Sequence, residues 1–384
     1  INRPASPAES ERASRKDEHL ELAMRLHGTD RPNAFDDVAF VHHALPGTGT
    51  EAVDMSTTVC GARWDVPFYI NAMTGGTRAT AAVNADLAGA AADAGIAIAC
   101  GSQHIALRDP ERAESFRLIR REAPNAFVLS NVGPTLAPEQ AVRAVEMLRA
   151  DALQIHLNAA QELVMPEGDR DFSGWAERIG AITEAVGVPV VVKEVGFGLS
   201  RRSVDQLVPL GVAAVDVAGN GGTDFVAIGT SRRQDSAYRD LVGWGQSAAL
   251  CLLECLHTQA GELPVQVLAS GAVRTPLDVV RGLALGARAA LRETGYEVPG
   301  DMSLIGFDNS QLARSRFLDL TTVDNHAFDV GVACAEALLR RIADPGASPG
   351  RVTIPTSLMV RTSSATPRMR RSKGAEPPVP VVGQ

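Results

Sequence analysis

Within residues 154–175, "QIHLNAAQELVMPEGDRDFSGW", an alternating apolar run gives way to His156, Asn158, Gln161, Glu162, Glu167, Asp169 and Arg170 in close succession. An imidazole, amides and carboxylates at this spacing can orient a polar ligand, move a proton and offer hard oxygens to a cation. Buried without partners they would be costly, so their place after a strand points to a ligand site. Lys193, in "VVVKEV", makes the same point from another strand: a lysine closing a buried apolar run either emerges into a polar site or carries a large desolvation cost. "AMTGGT" (72–77), "GSQH" (101–104), "SNVG" (130–133), "GNGGTDF" (219–225) and "SGAVR" (270–274) add glycines, hydroxyls and amides. Glycine pairs let a backbone approach a flat or phosphorylated ligand closely, although each loop alone also reads as a tight turn or a helix cap. "RKDEHL" (15–20) holds Arg15, Lys16 and His19, which composition alone reads as a solvated helix start.

These groups need elements to position them, and from about residue 66 the chain supplies a regular rhythm. A short β-prone run, a Gly- or Asn-bearing loop and an Ala-rich amphipathic stretch recur, predicting strands at 67–72, 96–101, 126–132, 152–157, 189–195, 213–219 and 265–271. Seven such units predict a parallel sheet with its chemistry at the C-terminal strand ends, as in a TIM-type (β/α)8 barrel. In barrels a phosphate commonly sits at the loops after the last two strands, where Gly271 and Arg274 fall. One phosphate-bearing cofactor across the mouth accounts for these loops together.

The totals agree with a soluble α/β enzyme. The chain has 384 residues, 45% hydrophobic and 21% charged, with no apolar run near the roughly 20 residues of a membrane span. A formal net charge of −8 argues against a general nucleic-acid surface. The opening "INRPASPAES" lacks a basic leader and apolar core, so a cytoplasmic location is the expectation. Five scattered cysteines, of which only Cys251 and Cys255 share a helical face, do not suggest a metal or disulfide framework.

Taken together, "RKDEHL", "MTGGT", "GSQ", "SNVG", "HLNAAQELVMPEGDRDF", "KEVGFGLS", "GNGGT" and "SGAVRTPLDVVRGLALGA" resemble the type 2 isopentenyl-diphosphate isomerases, FMN-dependent barrel enzymes, over about residues 11–289. The resemblance implies that Met73, Thr74, Gly75, Ser102, Asn131, Lys193 and Thr223 contact the flavin, with Gly271 and Arg274 near its phosphate. It implies that Arg15, Lys16, His19, Ser102, Gln103, His104 and Gln161 face isopentenyl or dimethylallyl diphosphate, and that Glu162 binds Mg²⁺ on the diphosphate. His156, Asn158, Gln161 and Lys193 are the expected catalytic set, NADPH the reductant of the flavin, and a homo-oligomer the expected assembly. An FMN-dependent 2-hydroxy acid oxidoreductase would use a similar barrel, but no His-Gly-x-Arg-type run follows a late strand.

After Ala289 the expected eighth strand is absent. The chain from "ALRETGYEVPGDMSLIGFDNS" through "IPTSLMVRTSS" resembles instead the C-terminal end of a lactose-repressor-type transcription regulator, without a helix-turn-helix or first sensor lobe. The expected organisation is a flexible segment over 1–13, an isomerase barrel over 14–289, a foreign α/β segment over 290–361 in place of the eighth βα unit, and a disordered tail over 362–384. A barrel lacking a strand exposes two edges, so "MSLIGFD" is expected to stand in as eighth strand after a helix over 275–295, with Gly306 near the phosphate and "AFDVGVACAEALLRRI" covering the outside. The alternative is an inactive or poorly folded fusion with impaired flavin binding.

Overall fold

A computed structural model describes residues 7–26, 33–40, 49–233, 235, 237–256, 265–293, 305–307, 321–324, 326, 329, 332–333, 336, 340 and 352–361. A short hairpin, β1 (Thr57–Val59) and β2 (Ala62–Trp64), precedes the main sheet. Its turn residues Cys60 and Gly61 both have positive φ, 50° and 78°, which matches the twist of a tight two-residue hairpin. Seven parallel strands follow: β3 (Tyr69–Ile70), β4 (Ala97–Ala99), β5 (Val128–Val132), β6 (Ala152–Leu157), β7 (Val190–Glu194), β8 (Ala214–Asp216) and β9 (Gln266–Leu268). Their order in the sheet is their order in the chain. All seven predicted strands are therefore present, with register running from Tyr69↔Ala97 at one edge to Asp216↔Leu268 at the other.

Helices α1 (Pro7–Leu26), α2 (Arg78–Ala94), α3 (His104–Arg108), α4 (Glu114–Glu122), α5 (Pro138–Leu148), α6 (Ala159–Val164), α7 (Trp175–Ala185), α8 (Arg201–Leu207), α9 (Phe225–Ser231), α10 (Ala248–Leu256) and α11 (Pro276–Glu293) complete the units. Local chemistry sets their ends. Thr77 Oγ1 accepts from Thr80 N while Thr80 Oγ1 accepts from Thr77 N, a reciprocal cap that starts α2, and Gly95 ends it in the left-handed region at φ 65°. No helix among the described residues is long and apolar enough to cross a membrane.

The sheet curls strongly. β3 and β8 are five strand spacings apart, about 24 Å in a flat sheet, yet Tyr69 Oη donates to Asp216 Oδ2 at 2.6 Å. Period-two alternation then layers the inside of the curl. Leu129, Ala152, Val191 and Ala214 form an apolar lower layer, and the hairpin plugs the N-terminal end, where Trp64 lies 5.7 Å from the Tyr69 ring and 5.5 Å from Phe127. Two residues further along the same strands, Asn131, Gln154, Lys193 and Asp216 make a polar layer.

The fold is thus α/β and TIM-like, but no described strand lies between β9 and β3. The stand-in predicted at 301–308 is corrected: β10 (Ile305–Phe307) pairs in parallel with β11 (Thr321–Asp324), which pairs antiparallel with β12 (Ser357–Met359) in a separate sheet. The segment brings its own strand partners, so its backbone groups are satisfied close by in the chain and have no need of the barrel edge. The proposed role of Gly306 at a barrel phosphate falls with it, and "AFDVGVACAEALLRRI" lies largely outside the described residues. The helix expected over 275–295 is α11; Leu277, Val280 and Leu283 on it are about half exposed.

α1 begins at Pro7, within the 1–13 stretch, where Pro at a helix start and the Ala, Glu and Arg that follow favour helix. Residues 1–6 and the tail from 362 lie outside the described residues.

Candidate functional site

The mouth of the curl, at the C-terminal strand ends, is roofed on one side by α1. Asp17 accepts from Thr77 Oγ1 at 2.6 Å, Glu18 pairs with Arg232 at 3.0 Å, and His19 meets the Phe225 ring edge-on at 6.4 Å between centroids. Lys16 points inward: its Nζ donates to Gly75 O at 2.5 Å and Ser102 O at 3.0 Å and lies 5.4 Å from the Phe116 ring centroid. The helix start read from composition alone as solvated is thus a strap over the site. The side chain of Arg15 lies outside the described residues.

Beneath Lys16, the strand ends bring several predicted residues together. His156 Nδ1 lies 2.8 Å from Asn131 Oδ1, the His104 ring is 6.3 Å from the His156 ring, and Gly133 N donates to His104 Nε2 at 3.0 Å. His156 is paired in register with Lys193, and Lys193 with Asp216. Burial, then the positive charges of His104, Lys193 and Lys16, push the His156 imidazole down to about 3, so it is neutral at physiological pH. Burial likewise lowers Lys193, against the opposing pull of Asp216 and Glu194; its Nζ donates to Glu194 O. Beside it, Glu194 turns away from the mouth and accepts from Val195, Gly196 and Phe197 N–H groups, with its carboxyl raised to about 7 by burial.

On the rim, Asn158 Nδ2 donates to Gln161 Oε1 at 3.2 Å and Glu162 Oε1 at 2.8 Å, and Glu162 Oε2 accepts from Asp169 N at 3.0 Å. One amide thus holds both predicted ligand-binding side chains at the start of α6. Among the described residues no group of three or more His, Cys, Asp or Glu converges as a metal site.

Other predicted residues sit differently. Gln103 is fully buried, donating to Ala144 O and accepting from Asn131 N, so it supports the wall from behind and does not face the mouth. Met73 and Thr223 are exposed on the rim, and Thr74 O accepts from Gly101 N. Gly75 is packed so closely on Phe116 that a side chain there would collide with the ring. Gly271, at φ 94°, presses on the Gly219 carbonyl. Arg274 is shared between Asp36 at 2.5 Å and Asp278 at 3.2 Å, which ties the loop after β9 to the N-terminal segment.

Between His104 and His156 lies the buried Gly133, where a Cβ would stand 3.2 Å and 3.3 Å from their Nε2 atoms. Lys16 and Lys193 place two ammonium groups near this cradle, a surrounding suited to an anionic ligand. Sequence reasoning missed the residues behind it, Tyr69, Asn71, Gln154, Asp216 and Ser270. The signal was present, since a polar residue recurring at every second position of an otherwise apolar strand faces the inside of the curl.

Residues 27–153 and 112–293 match the FMN-dependent dehydrogenase family model, and residues 225–364 match a periplasmic binding protein-like domain, in keeping with the repressor-like character of the C-terminal part. An isopentenyl-diphosphate delta-isomerase of Streptomyces sp. (strain CL190) is 50% identical over 285 residues, 74% of this chain and 77% of the relative. The protein of the same name from Kitasatospora griseola is 52% identical over 280 residues, 72% and 75% of the two chains. Among solved structures, inosine 5′-monophosphate dehydrogenase from Legionella pneumophila aligns with a TM-score of 0.43 at 17% identity, over 67% of each chain.

Proposed function

Because the chain belongs to the isopentenyl-diphosphate delta-isomerase family, we propose that it interconverts isopentenyl and dimethylallyl diphosphate as an FMN-dependent enzyme of the type 2 kind. The observation that carries this reading is the convergence of Lys16, His104, His156 and Lys193 on one cradle, with Gln161 and Glu162 on its rim. The reaction adds a proton at the terminal methylene carbon and removes one from the allylic methylene on the far side of the double bond, so no net electrons move. When bound, reduced FMN supplies the acid and base for that exchange, and NADPH serves only to reduce it.

The chain's own residues bind, orient and exclude water. Met73, Thr74, Gly75, Ser102, Asn131 and Lys193 would hold the ring, Lys193 balancing negative charge from the inner wall. The loops at Thr223 and Gly271 would take the flavin phosphate through backbone N–H groups, while Arg274, already held by two carboxylates, shapes the loop. Lys16 presents a cation to the diphosphate under the α1 strap, which limits water entry. Glu162 would hold Mg²⁺ through one carboxylate, an arrangement in which substrate oxygens and water complete the coordination.

The test is incubation of the full chain with isopentenyl diphosphate, FMN, NADPH and Mg²⁺. The expected result is dimethylallyl diphosphate in excess over NADPH consumed; a flavin-loaded protein that forms none would overturn the reading. One observation favours the inactive-fusion alternative: among the described residues no strand pairs with the outer edges of β3 and β9. A protein that fails to retain flavin would support it.

A further inference from the structure

The polar layer inside the curl contains a directional chain of hydrogen bonds. Asp216 is fully buried, and its carboxylate accepts from Tyr69 Oη at 2.6 Å, Asn71 Nδ2 at 2.9 Å, Ser270 Oγ at 2.8 Å and Ala218 N at 3.0 Å. A carboxylate only accepts, so each neighbour must donate. Burial and Asp216 itself push the Tyr69 phenol well above its ordinary value, which keeps it a donor. Tyr69 Oη and Asn71 Oδ1 are then left to accept from Gln154 Nε2, at 3.3 Å and 3.5 Å. Gln154 must therefore turn Oε1 toward Asn131 Nδ2, at 3.2 Å, and Asn131 must turn Oδ1 toward His156 Nδ1. An oxygen at 2.8 Å requires a proton on Nδ1, which in a neutral ring makes Nε2, beside Gly133, the acceptor nitrogen.

We propose that Asp216 is a positioning residue that acts through Tyr69, Asn71, Gln154 and Asn131 to hold His156 as the Nδ1–H tautomer, so that Nε2 accepts a hydrogen bond from the bound ligand. Asp216 and His156 belong to different strands, and the polarity of each link follows from the one before. The cradle therefore selects a ligand edge that donates at Nε2, a ring N–H or a hydroxyl. This inference rests on the isomerase reading for the identity of that ligand; the tautomer itself does not.

The experiment is two-bond ¹H–¹⁵N correlation spectroscopy of the full chain labelled at histidine, with His156 assigned by its missing signal in His156→Gln. Wild type is expected to show Nδ1–H. Asp216→Asn offers a donor as well as an acceptor, so His156 should lose that single tautomer, with kcat falling about 10- to 100-fold and KM for the diphosphate close to wild type. Adding Gln154→Glu moves the acceptor-only group nearer to Asn131 and should restore Nδ1–H, a rescue that a merely structural carboxylate would not show. Should Asp216→Asn not fold, Gln154→Leu cuts the chain without removing Asp216 and should shift the proton to Nε2. An unchanged tautomer in either single variant, or no rescue in the double variant, would overturn the proposal. A tautomer that shifts as expected supports it even in a preparation without isomerase activity, an outcome that would count against the function alone.

Discussion

β5 to β7 and the pair of edges at β3 and β9 are built in different ways. β6 and β7 pair continuously from Leu153↔Val190 to Leu157↔Glu194, and every residue of β5 and β7 is buried. β3 meets β4 only at Tyr69↔Ala97 and Ile70↔Ile98, and β9 is partly exposed throughout. The edges are instead stitched by side chains. Asp216 binds Tyr69 and Ser270, and Gln266 clasps the hairpin through Cys60 N and Thr58 O, each at 2.8 Å. Asp36 reaches Arg274 and Arg281 on the loop and helix after β9. Backbone ladders hold the side of the site that carries Asn131, His156 and Lys193, whereas side-chain contacts hold the side where a closing strand would lie. Substitutions at the edges should therefore cost stability first and chemistry second.

The largest effect is expected from Asp216→Ala, which removes a fully buried carboxylate from partly buried donors at and just beyond the ends of β3 and β9 and should lower the unfolding free energy by about 3 kcal/mol in urea titrations. A loss below about 1 kcal/mol would mean that the edges do not depend on this stitch. Trp64→Ala opens the hairpin plug and should cost roughly 3 kcal/mol, again read by urea unfolding. A neutral result would make the hairpin dispensable.

The laddered side should be distinguished by its pH response. Glu194 has its carboxyl raised to about 7 by burial, so the folded state holds its proton more tightly than the unfolded chain does. Its contribution is complete below about pH 4.5 and is lost as pH rises through 7, a change of roughly 3 kcal/mol that Glu194→Gln should flatten. His156, depressed to about 3, acts in the opposite sense, costing stability as pH falls below about 6.5. Unfolding measured from pH 4 to 8 checks both slopes. Arg281→Gln should cost about 1–2 kcal/mol, since it takes a donor from the buried Asp278 as well as from the exposed Asp36, and only the Asp36 share should shrink in high salt. Lys16→Ala should be the mildest, about 1 kcal/mol in stability because Gly75 O and Ser102 O lose their donor, while raising KM for the diphosphate with flavin content unchanged. Loss of flavin in that variant would make α1 structural.

The laddered side was largely legible from residue order. Val, Ile and Ala runs leading to Asn131, His156 and Lys193 marked the strands, and with them the strand ends at which the expected site residues sit. The edges were not, because their contacts join residues far apart in the chain, Asp36 to Arg274 and Tyr69 to Asp216, which no local pattern encodes. The hairpin at Thr57–Trp64 was overlooked although "TTVCGARW" holds a β-branched run, a glycine turn and an aromatic. "MSLIGFD" was rightly read as β-prone but wrongly paired, since propensity marks a strand without naming its neighbour. Gln103 carried the right chemistry on the wrong face, turned toward Ala144.

The central claim is that the laddered side still presents a flavin site although no described strand closes the sheet. The most direct test is the visible absorption spectrum of the purified full chain after addition of FMN and desalting. The account predicts a retained flavin spectrum at close to one FMN per chain. A protein that emerges colourless, while folded by circular dichroism, would contradict it.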